Sequence, residues 1–194
     1  GHDSPDMIKR HVGLIDKAIT RMINIIGQLG TIANNERHEL AVIPVSDLIE
    51  SSIMRFKEEY KIDTEVLIDS SLEASTRISA NAETFEIILG KILINAWESY
   101  HIDTPPNDRT ISLLASVQDK SGIDTLQLKV ADKGEGIDSK VIDTLFEPFI
   151  TTKTSVGRGM GLTIARHTIR NLKGDIHLKD NADSGVTAIL TYPL

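Results

Sequence analysis

The chain has 194 residues, of which 40% are hydrophobic and 25% charged, with a net charge of -7 and no cysteine. This length allows one full domain and an additional segment, and the acidic charge argues against a nucleic-acid backbone as the main partner. The lack of cysteine excludes disulfides and thiolate metal sites and suits a reducing compartment, so we expect a cytoplasmic location.

The first predicted element is a long N-terminal helix. It is expected to begin with Ser4 as its N-cap and Pro5 at its first position, and to end within the polar stretch 34–39. Its apolar residues alternate spacings of four and three, which is a heptad pattern. They are Ile8, Val12, Ile15, Ile19, Met22, Ile26, Leu29 and Ala33. Additional apolar residues at Leu14, Ile23 and Ile25 widen this stripe, which favours a bundle with partner helices, and an amphipathic helix docked on its own domain is the alternative.

The middle and end of the chain mix strands with helices. Pro44 interrupts the chain, and Ser46 is the predicted N-cap of a second helix that extends to about Tyr60. Apolar periodicity predicts strands at about 65–69, 76–79, 111–117, 126–130, 175–179 and 186–192, and helices at about 82–101 and 160–172. The turn 119–124 makes a hairpin of the third and fourth strands. Together these elements predict a mixed sheet with helices on one face.

The helix predicted over 82–101 contains a candidate metal ligand. Its core stripe consists of Phe85, Ile88, Leu89, Ile92 and Ala96. This stripe leaves Asn95 on another side of the helix, beside Lys91 and Ser99. An amide oxygen suits Mg²⁺, a cation that prefers oxygen ligands and shares the phosphates of a nucleotide. Considered alone, Asn95 would be an ordinary surface or capping residue.

Asp132 ends the strand predicted over 126–130. Even-numbered residues of this strand share one face, so Asp132 continues the buried positions into a pocket. Gly134 and Gly136 follow, and the missing Cβ atoms allow unusual φ angles and a close approach of the backbone to a flat ring. An ionised carboxylate accepts hydrogen bonds, and an adenine amino group donates them. A plain Asp-Gly turn is the alternative.

Three alternating glycines, Gly157, Gly159 and Gly161, lead into the helix predicted over 160–172. Backbone N–H groups and the helix dipole at such a start favour a phosphate. Nearby residues add charge, hydroxyl donors and aromatic anchors, and these are Lys153, Arg158, Thr151, Thr152, Thr154, Ser155, Phe146 and Phe149. A glycine-rich surface loop is the alternative, but it leaves the glycine periodicity unexplained.

Together these motifs resemble the catalytic domain of bacterial sensor histidine kinases, within the wider family of Hsp90, DNA gyrase and MutL. The matching motifs follow the family order over about 46–194: the N box at Asn95, the G1 box at Asp132, Gly134 and Gly136, the F box at 146–149, the G2 box at Gly157, Gly159 and Gly161, and a G3 element at 184–187. The resemblance implies an α+β fold, the two-layer α/β sandwich called the Bergerat fold.

The resemblance also implies which residues bind ATP. Asn95 would hold Mg²⁺, Asp132 would accept from the adenine amine, and 147–160 would form a lid over the phosphates. The full implied set is Asn95, Ser99, Asp132, Gly134, Gly136, Ile137, Phe149, Thr151, Thr152, Lys153, Arg158, Gly159, Met160, Gly161, Leu162 and Thr187.

Two lysines depart from the family pattern. Lys91 stands four residues before Asn95, where ATP-hydrolysing members of the wider family carry a glutamate base and kinases commonly carry an asparagine. Without that base a water molecule lacks its proton acceptor, so phosphoryl transfer to a side chain is favoured over ATP hydrolysis. Lys133 replaces the usual asparagine of the G1 box. Both changes are expected to alter nucleotide affinity.

The resemblance divides the chain at residue 45. Residues 1–45 are expected to be the remnant of a dimerisation domain, its second helix and linker, which would form a homodimer, and 46–194 to be the catalytic domain. Response-regulator receiver domains are the implied partners, and anchoring of a longer parent protein in the inner membrane stays open. His38 and His11 lack the bundle face or the acidic neighbour of a phosphoacceptor, so we expect the acceptor histidine outside this chain.

Two other functions remain as alternatives. The first is a nucleotide-binding interaction module that transfers no phosphate, against which the glycine-rich segment with Lys153 and Arg158 counts. The second is an ATPase like Hsp90 or gyrase, which Lys91 disfavours.

Overall fold

The computed structural model of the chain describes residues 40–120, 122–138, 142, 144–146 and 161–194. The predicted N-terminal helix, with His11 and His38, lies outside the described residues. The same is true of seven predicted nucleotide contacts, which are Phe149, Thr151, Thr152, Lys153, Arg158, Gly159 and Met160. Within the described ranges, no helix has both the length and the apolar character needed to cross a membrane.

The described residues form two sheets and three α-helices. The strands are β1 (Ala41–Pro44), β2 (Val66–Ser70), β3 (Arg77–Ala80), β4 (Ile111–Lys120), β5 (Ile123–Asp132), β6 (Asp175–Asp180) and β7 (Val186–Pro193). The helices are α1 (Val45–Tyr60), α2 (Ala82–Trp97) and α3 (Gly161–Asn171), and short 3₁₀ turns cover Pro106–Asp108 and Thr144–Phe146.

The main sheet has the strand order β2-β4-β5-β7-β6. β2 runs parallel to β4 and the other neighbours are antiparallel, so the predicted mixed sheet is confirmed. β4 and β5 stay paired as far as Lys120 and Ile123, which makes their turn shorter than the predicted 119–124. The even-numbered residues of β5 from Leu126 to Asp132 are buried, as are Ile111 and Leu113 of β4, because one face of this sheet packs against the helices.

Helix α2 lies at the centre of the helical layer. Asn81 caps it, since its Oδ1 accepts a hydrogen bond from the Thr84 N–H at 2.9 Å. The predicted core stripe is buried, each member being no more than 3% exposed, and it comprises Phe85, Ile88, Leu89, Ile92 and Ala96. The predicted end near His101 is wrong, because α2 ends at Trp97. Arg109 donates to the Trp97 carbonyl and stacks on its ring at 4.9 Å, which satisfies the helix end there.

Helix α1 begins differently from the prediction. The Ser46 hydroxyl donates to Asp47 Oδ1 and makes no cap, and the helix starts at Val45 directly after Pro44. Val45 N–H donates to the Thr76 carbonyl, and Pro44 ends β1, a strand that was not predicted. β1 pairs with β3, so part of the segment assigned to the N-terminal region contacts the unit predicted over 46–194.

An ion-pair cluster joins α3 to β6. Arg166 and Arg170 donate through Nε to Asp175 Oδ1 at 3.0 and 2.9 Å, and Arg170 also reaches Oδ2 at 3.1 Å. Partial burial acts to raise the pKa of Asp175. Hydrogen bonds from Arg170, Arg166 and the Ile176 N–H outweigh it and hold the pKa well below its usual range.

We expect Asp175→Asn to lower the free energy of unfolding by about 1 kcal/mol at pH 7, a value reduced for solvent screening. The folded-state pKa is below the unfolded one, so this stabilisation is complete above the unfolded pKa of about 4 and is lost as the pH falls toward the folded value. Urea unfolding at pH 7 and pH 3 measures it, with the exposed Asp69→Asn as the control. An equal difference between Asp175→Asn and wild type at both pH values would contradict the pairing.

Candidate functional site

Asp132 is the buried acidic residue at the end of β5, with only 4% of its surface exposed. Its Oδ1 accepts hydrogen bonds from the N–H groups of Gly134 at 2.9 Å and Val186 at 3.2 Å. These two bonds fix the carboxylate against the loop that follows β5 and the start of β7. A carboxylate offers about four lone-pair sites, so one held in this way is suited to accept a further hydrogen bond from an amino group.

Two glycines let the backbone close around Asp132. Gly185 has φ +78°, and a Cβ there would overlap the Asp132 carbonyl oxygen and come within 2.7 Å of Oδ1. A Cβ on Gly134 would overlap the Ser99 hydroxyl and come within 2.6 Å of the Ser99 carbonyl carbon. Glu135 N–H donates to that carbonyl at 3.0 Å, which packs the loop on the end of α2. The structure therefore brings Ser99, Asp132 and Gly134 together.

Two residues that support this loop were not predicted, Asp180 and Asn181. Asp180 Oδ1 accepts from the Ile137 N–H at 3.2 Å, beside Gly136, whose φ is +77°. Asn181 Nδ2 donates to the Asp132 carbonyl at 3.2 Å. Adjacent Asp and Asn residues, here at the end of β6, are a turn signal, but only the pairing of β5, β6 and β7 shows which backbone groups they bind.

Thr187 is not brought to the Asp132 carboxylate. It pairs with Ala131 across β5 and β7, and successive residues of a strand point to opposite faces of the sheet. Its hydroxyl donates to Asn181 Oδ1 at 2.7 Å. Val186, buried and on the same face as Asp132, is the β7 residue that donates to the carboxylate.

Asn95 lies half-buried on α2, off the core stripe as predicted. Lys91, one turn earlier, donates from Nζ to Tyr60 Oη at 3.1 Å. A Cβ on Gly161, the first residue of α3, would lie 3.7 Å from Lys91 Cδ. The N-box turn of α2 therefore borders the start of α3, where Gly161 and the half-buried Leu162 are found.

The donor set fits Mg²⁺ bound mainly through a nucleotide. Across the part of the chain that the structure describes, no cluster of three or more His, Asp or Glu residues could hold a metal ion. Mg²⁺ typically takes one or two protein oxygens and completes its shell with phosphates and water. The Asn95 amide could supply such an oxygen.

Lys133 of the predicted G1 box and Phe146 of the predicted F box each contact another described residue. The exposed Lys133 donates through its backbone N–H to Tyr100 Oη at 2.9 Å, and Tyr100 in turn donates to the Thr110 carbonyl. Phe146, at the start of the predicted F box, stacks under the Arg166 guanidinium at 4.1 Å. Residues on both sides of segment 147–160 are thus fixed to the described fold.

Comparison with known families identifies one matching domain. A family described as histidine kinase-, DNA gyrase B- and HSP90-like ATPase matches residues 80–194. The match includes the segment of α2 with Asn95, all of β5 with Asp132, and the strands β6 and β7.

Named relatives are sensor proteins and kinases. The C4-dicarboxylate transport sensor protein DctB of Pseudomonas aeruginosa is 27% identical over 190 residues, covering 97% of this chain and 30% of that protein. Sporulation kinase D of Bacillus subtilis is 22% identical over 185 residues, covering 95% of this chain and 35% of that protein. The chain therefore spans about a third of the length of these relatives.

Among solved structures, the catalytic domain of histidine kinase ThkA has a TM-score of 0.65 and 23% identity, covering 80% of this chain and 96% of that one. ThkA in complex with response regulator protein TrrA also gives a TM-score of 0.65, with 21% identity, covering 99% of this chain and 53% of that one. These likenesses confirm the predicted α+β fold.

Proposed function

Because the chain belongs to the family of histidine kinase-, DNA gyrase B- and HSP90-like ATPases, we propose that it binds Mg-ATP and transfers the γ-phosphoryl group to a histidine. The observation that carries this proposal is the buried Asp132 carboxylate, oriented by the Gly134 and Val186 N–H groups. An acceptor at this position recognises the adenine amino group, and the neighbouring glycines let the flat ring approach the backbone.

The phosphates would extend from Asp132 toward α2 and the start of α3. Asn95 would give an amide oxygen to Mg²⁺, which neutralises phosphate charge when bound. The N–H groups at the start of α3 favour the same anion. Residues 147–160 would cover the phosphates, with Lys153 and Arg158 as the cationic contacts.

Transfer to a histidine is favoured over hydrolysis. The bond between the γ-phosphorus and its bridging oxygen breaks as an imidazole nitrogen bonds to phosphorus, and ADP leaves. Lys91 replaces the glutamate that would accept a proton from water, whereas a neutral imidazole nitrogen attacks with its own lone pair. The relatives named as kinases and a sensor protein support this choice.

We further propose that the acceptor histidine lies outside this chain and that a receiver domain is the next phosphate acceptor. Residues 1–45 would form a homodimer contact. The ThkA complex with a response regulator supports the second of these assignments. The domain would work in the cytoplasm, where ATP is available.

Phosphorylation in trans tests the proposed function. We expect labelled Mg-ATP and this chain to label a separate two-helix acceptor domain of a sensor kinase, with Asn95→Ala reducing the rate at least about tenfold. The label should be acid-labile, as phosphohistidine is.

Other outcomes would contradict specific parts of the proposal. Label on His38 or His11 would place the acceptor within this chain, and free phosphate without label would indicate an ATPase. Nucleotide binding with no transfer would indicate an interaction module.

A further inference from the structure

Lys91 carries a positive charge that is held in place but not neutralised by the described residues. Its Nζ donates to Tyr60 Oη at 3.1 Å and lies 5.8 Å from the centre of the Tyr60 ring. No carboxylate in the described ranges forms an ion pair with it. Tyrosine is neutral at pH 7, so this contact orients the ammonium without cancelling its charge.

The ammonium is close to the proposed phosphate region. Side chains four residues apart on a helix are neighbours, with about 5–6 Å between their Cβ atoms, so Lys91 and Asn95 share one side of α2. Lys91 Cδ lies 3.7 Å from the Cβ position of Gly161, at the start of α3. The amide that would hold Mg²⁺, the lysine and the helix start therefore border one region.

Lys91 also lines a groove in the helical layer. It has a volume of about 190 Å³ and lies between α1, α2 and Ile164 of α3. Gly90 forms part of its wall, and a Cβ there would meet nothing within 4 Å. Arg55, the other cation of the groove, is paired with Glu86 at 3.3 Å and Glu59 at 3.8 Å. Within the described groove, the uncompensated positive charge belongs to Lys91.

We propose that Lys91 binds the terminal phosphate of ATP, with Tyr60 positioning its ammonium, so that this pair distinguishes ATP from ADP. Asn95 would hold the Mg²⁺ ion that neutralises phosphate charge, and Lys91 stands one helical turn before Asn95, so both side chains would serve the same phosphates. Tyr60 takes one of the three ammonium donors and leaves two for phosphate oxygens. This inference rests on the proposed function, because it requires nucleotide at the Asp132 site.

The test compares affinities for Mg-ADP and for the magnesium complex of the β,γ-imido analogue of ATP, by calorimetry on the full chain. Lys91→Met keeps an unbranched side chain as far as Cε and removes the charged Nζ. We expect it to weaken binding of the ATP analogue about tenfold, the loss typical of a charged hydrogen bond, and binding of ADP less than about twofold. Tyr60→Phe should weaken the ATP analogue about threefold, and Lys91→Arg should restore most of the affinity.

Lys57→Met is the matched control, because it removes a half-buried lysine ammonium from α1 outside the groove. Its ratio of ATP-analogue to ADP affinity should equal that of the wild type, and thermal melting of each variant checks the fold. An unchanged ratio in Lys91→Met would overturn the inference and leave the Tyr60 contact as packing between α1 and α2. Equal weakening of both nucleotides would also overturn it. Failure of the wild-type chain to bind either nucleotide would instead overturn the proposed function.

Discussion

Replacing Asp132 with asparagine is expected to weaken ADP binding about 100-fold and to leave the fold intact. The asparagine Oδ1 can still accept from the Gly134 and Val186 N–H groups, so the loop keeps its two supports. The other atom changes from an acceptor to an NH₂ donor, which opposes the donor group of adenine. An unpaired polar contact in a buried site costs about 1–3 kcal/mol, and loss of the negative charge adds to it.

Calorimetric titration with Mg-ADP measures this effect, and Glu135→Gln serves as its control. Glu135 lies in the same loop and its side chain is exposed, so its neutralisation should change the affinity less than about twofold. Equal affinities for Asp132→Asn and wild type would place the adenine elsewhere and remove the main support for the proposed function. Circular dichroism of the variant checks that lost binding does not come from unfolding.

Replacing Gly185 with alanine is expected to destabilise the domain by about 3 kcal/mol or more, through two separate causes. The residue has φ +78°, which costs an alanine about 1–2 kcal/mol. The added Cβ would also overlap the Asp132 carbonyl and come within 2.7 Å of its Oδ1, so β5 and β7 would have to separate there. Overpacking of this kind costs about 1–3 kcal/mol. Nucleotide binding should fall together with stability, because the adjacent Val186 N–H orients Asp132 and would be displaced with the strand.

Gly122→Ala separates the two causes. Gly122 also has a positive φ, +81°, but a Cβ there would meet nothing within 4 Å. It lies in the β4–β5 turn, at the opposite end of β5 from Asp132. Urea unfolding should therefore show a loss of about 1 kcal/mol for Gly122→Ala, with unchanged ADP affinity. Equal losses in the two variants would show that the contact with Asp132 contributes nothing.

Local periodicity was sufficient to predict which faces of strand β5 and helix α2 are buried. Alternation along 126–130 predicted the buried face of β5 and hence the inward position of Asp132, which the structure confirms. The spacing of Phe85, Ile88 and Leu89 likewise predicted which side of α2 is buried. These patterns succeed because burial on one face imposes a period of 2 on a strand and about 3.6 on a helix.

Features that depend on distant parts of the chain were not predicted, or were predicted at the wrong residue. β1 has only four residues and forms because β3 pairs with it, so no local pattern marks it. The end of α2 at Trp97 is stabilised by Arg109, which donates to the Trp97 carbonyl from beyond the following loop. Ser46 has a favourable cap residue type, but its hydroxyl binds Asp47 instead of the helix backbone.

The sequence by itself determined the fold class, the order of its motifs and the residue types around Asn95 and Asp132, since short-range spacing and chemistry are enough for these. Only the tertiary structure decided which groups meet. The pairing of β5 with β7 turned Thr187 away from Asp132 and brought Val186 beside it. The packing of α1 on α2 joined Tyr60 to Lys91. Such contacts depend on strand register and helix packing between segments far apart in the chain, and local periodicity does not encode either of them.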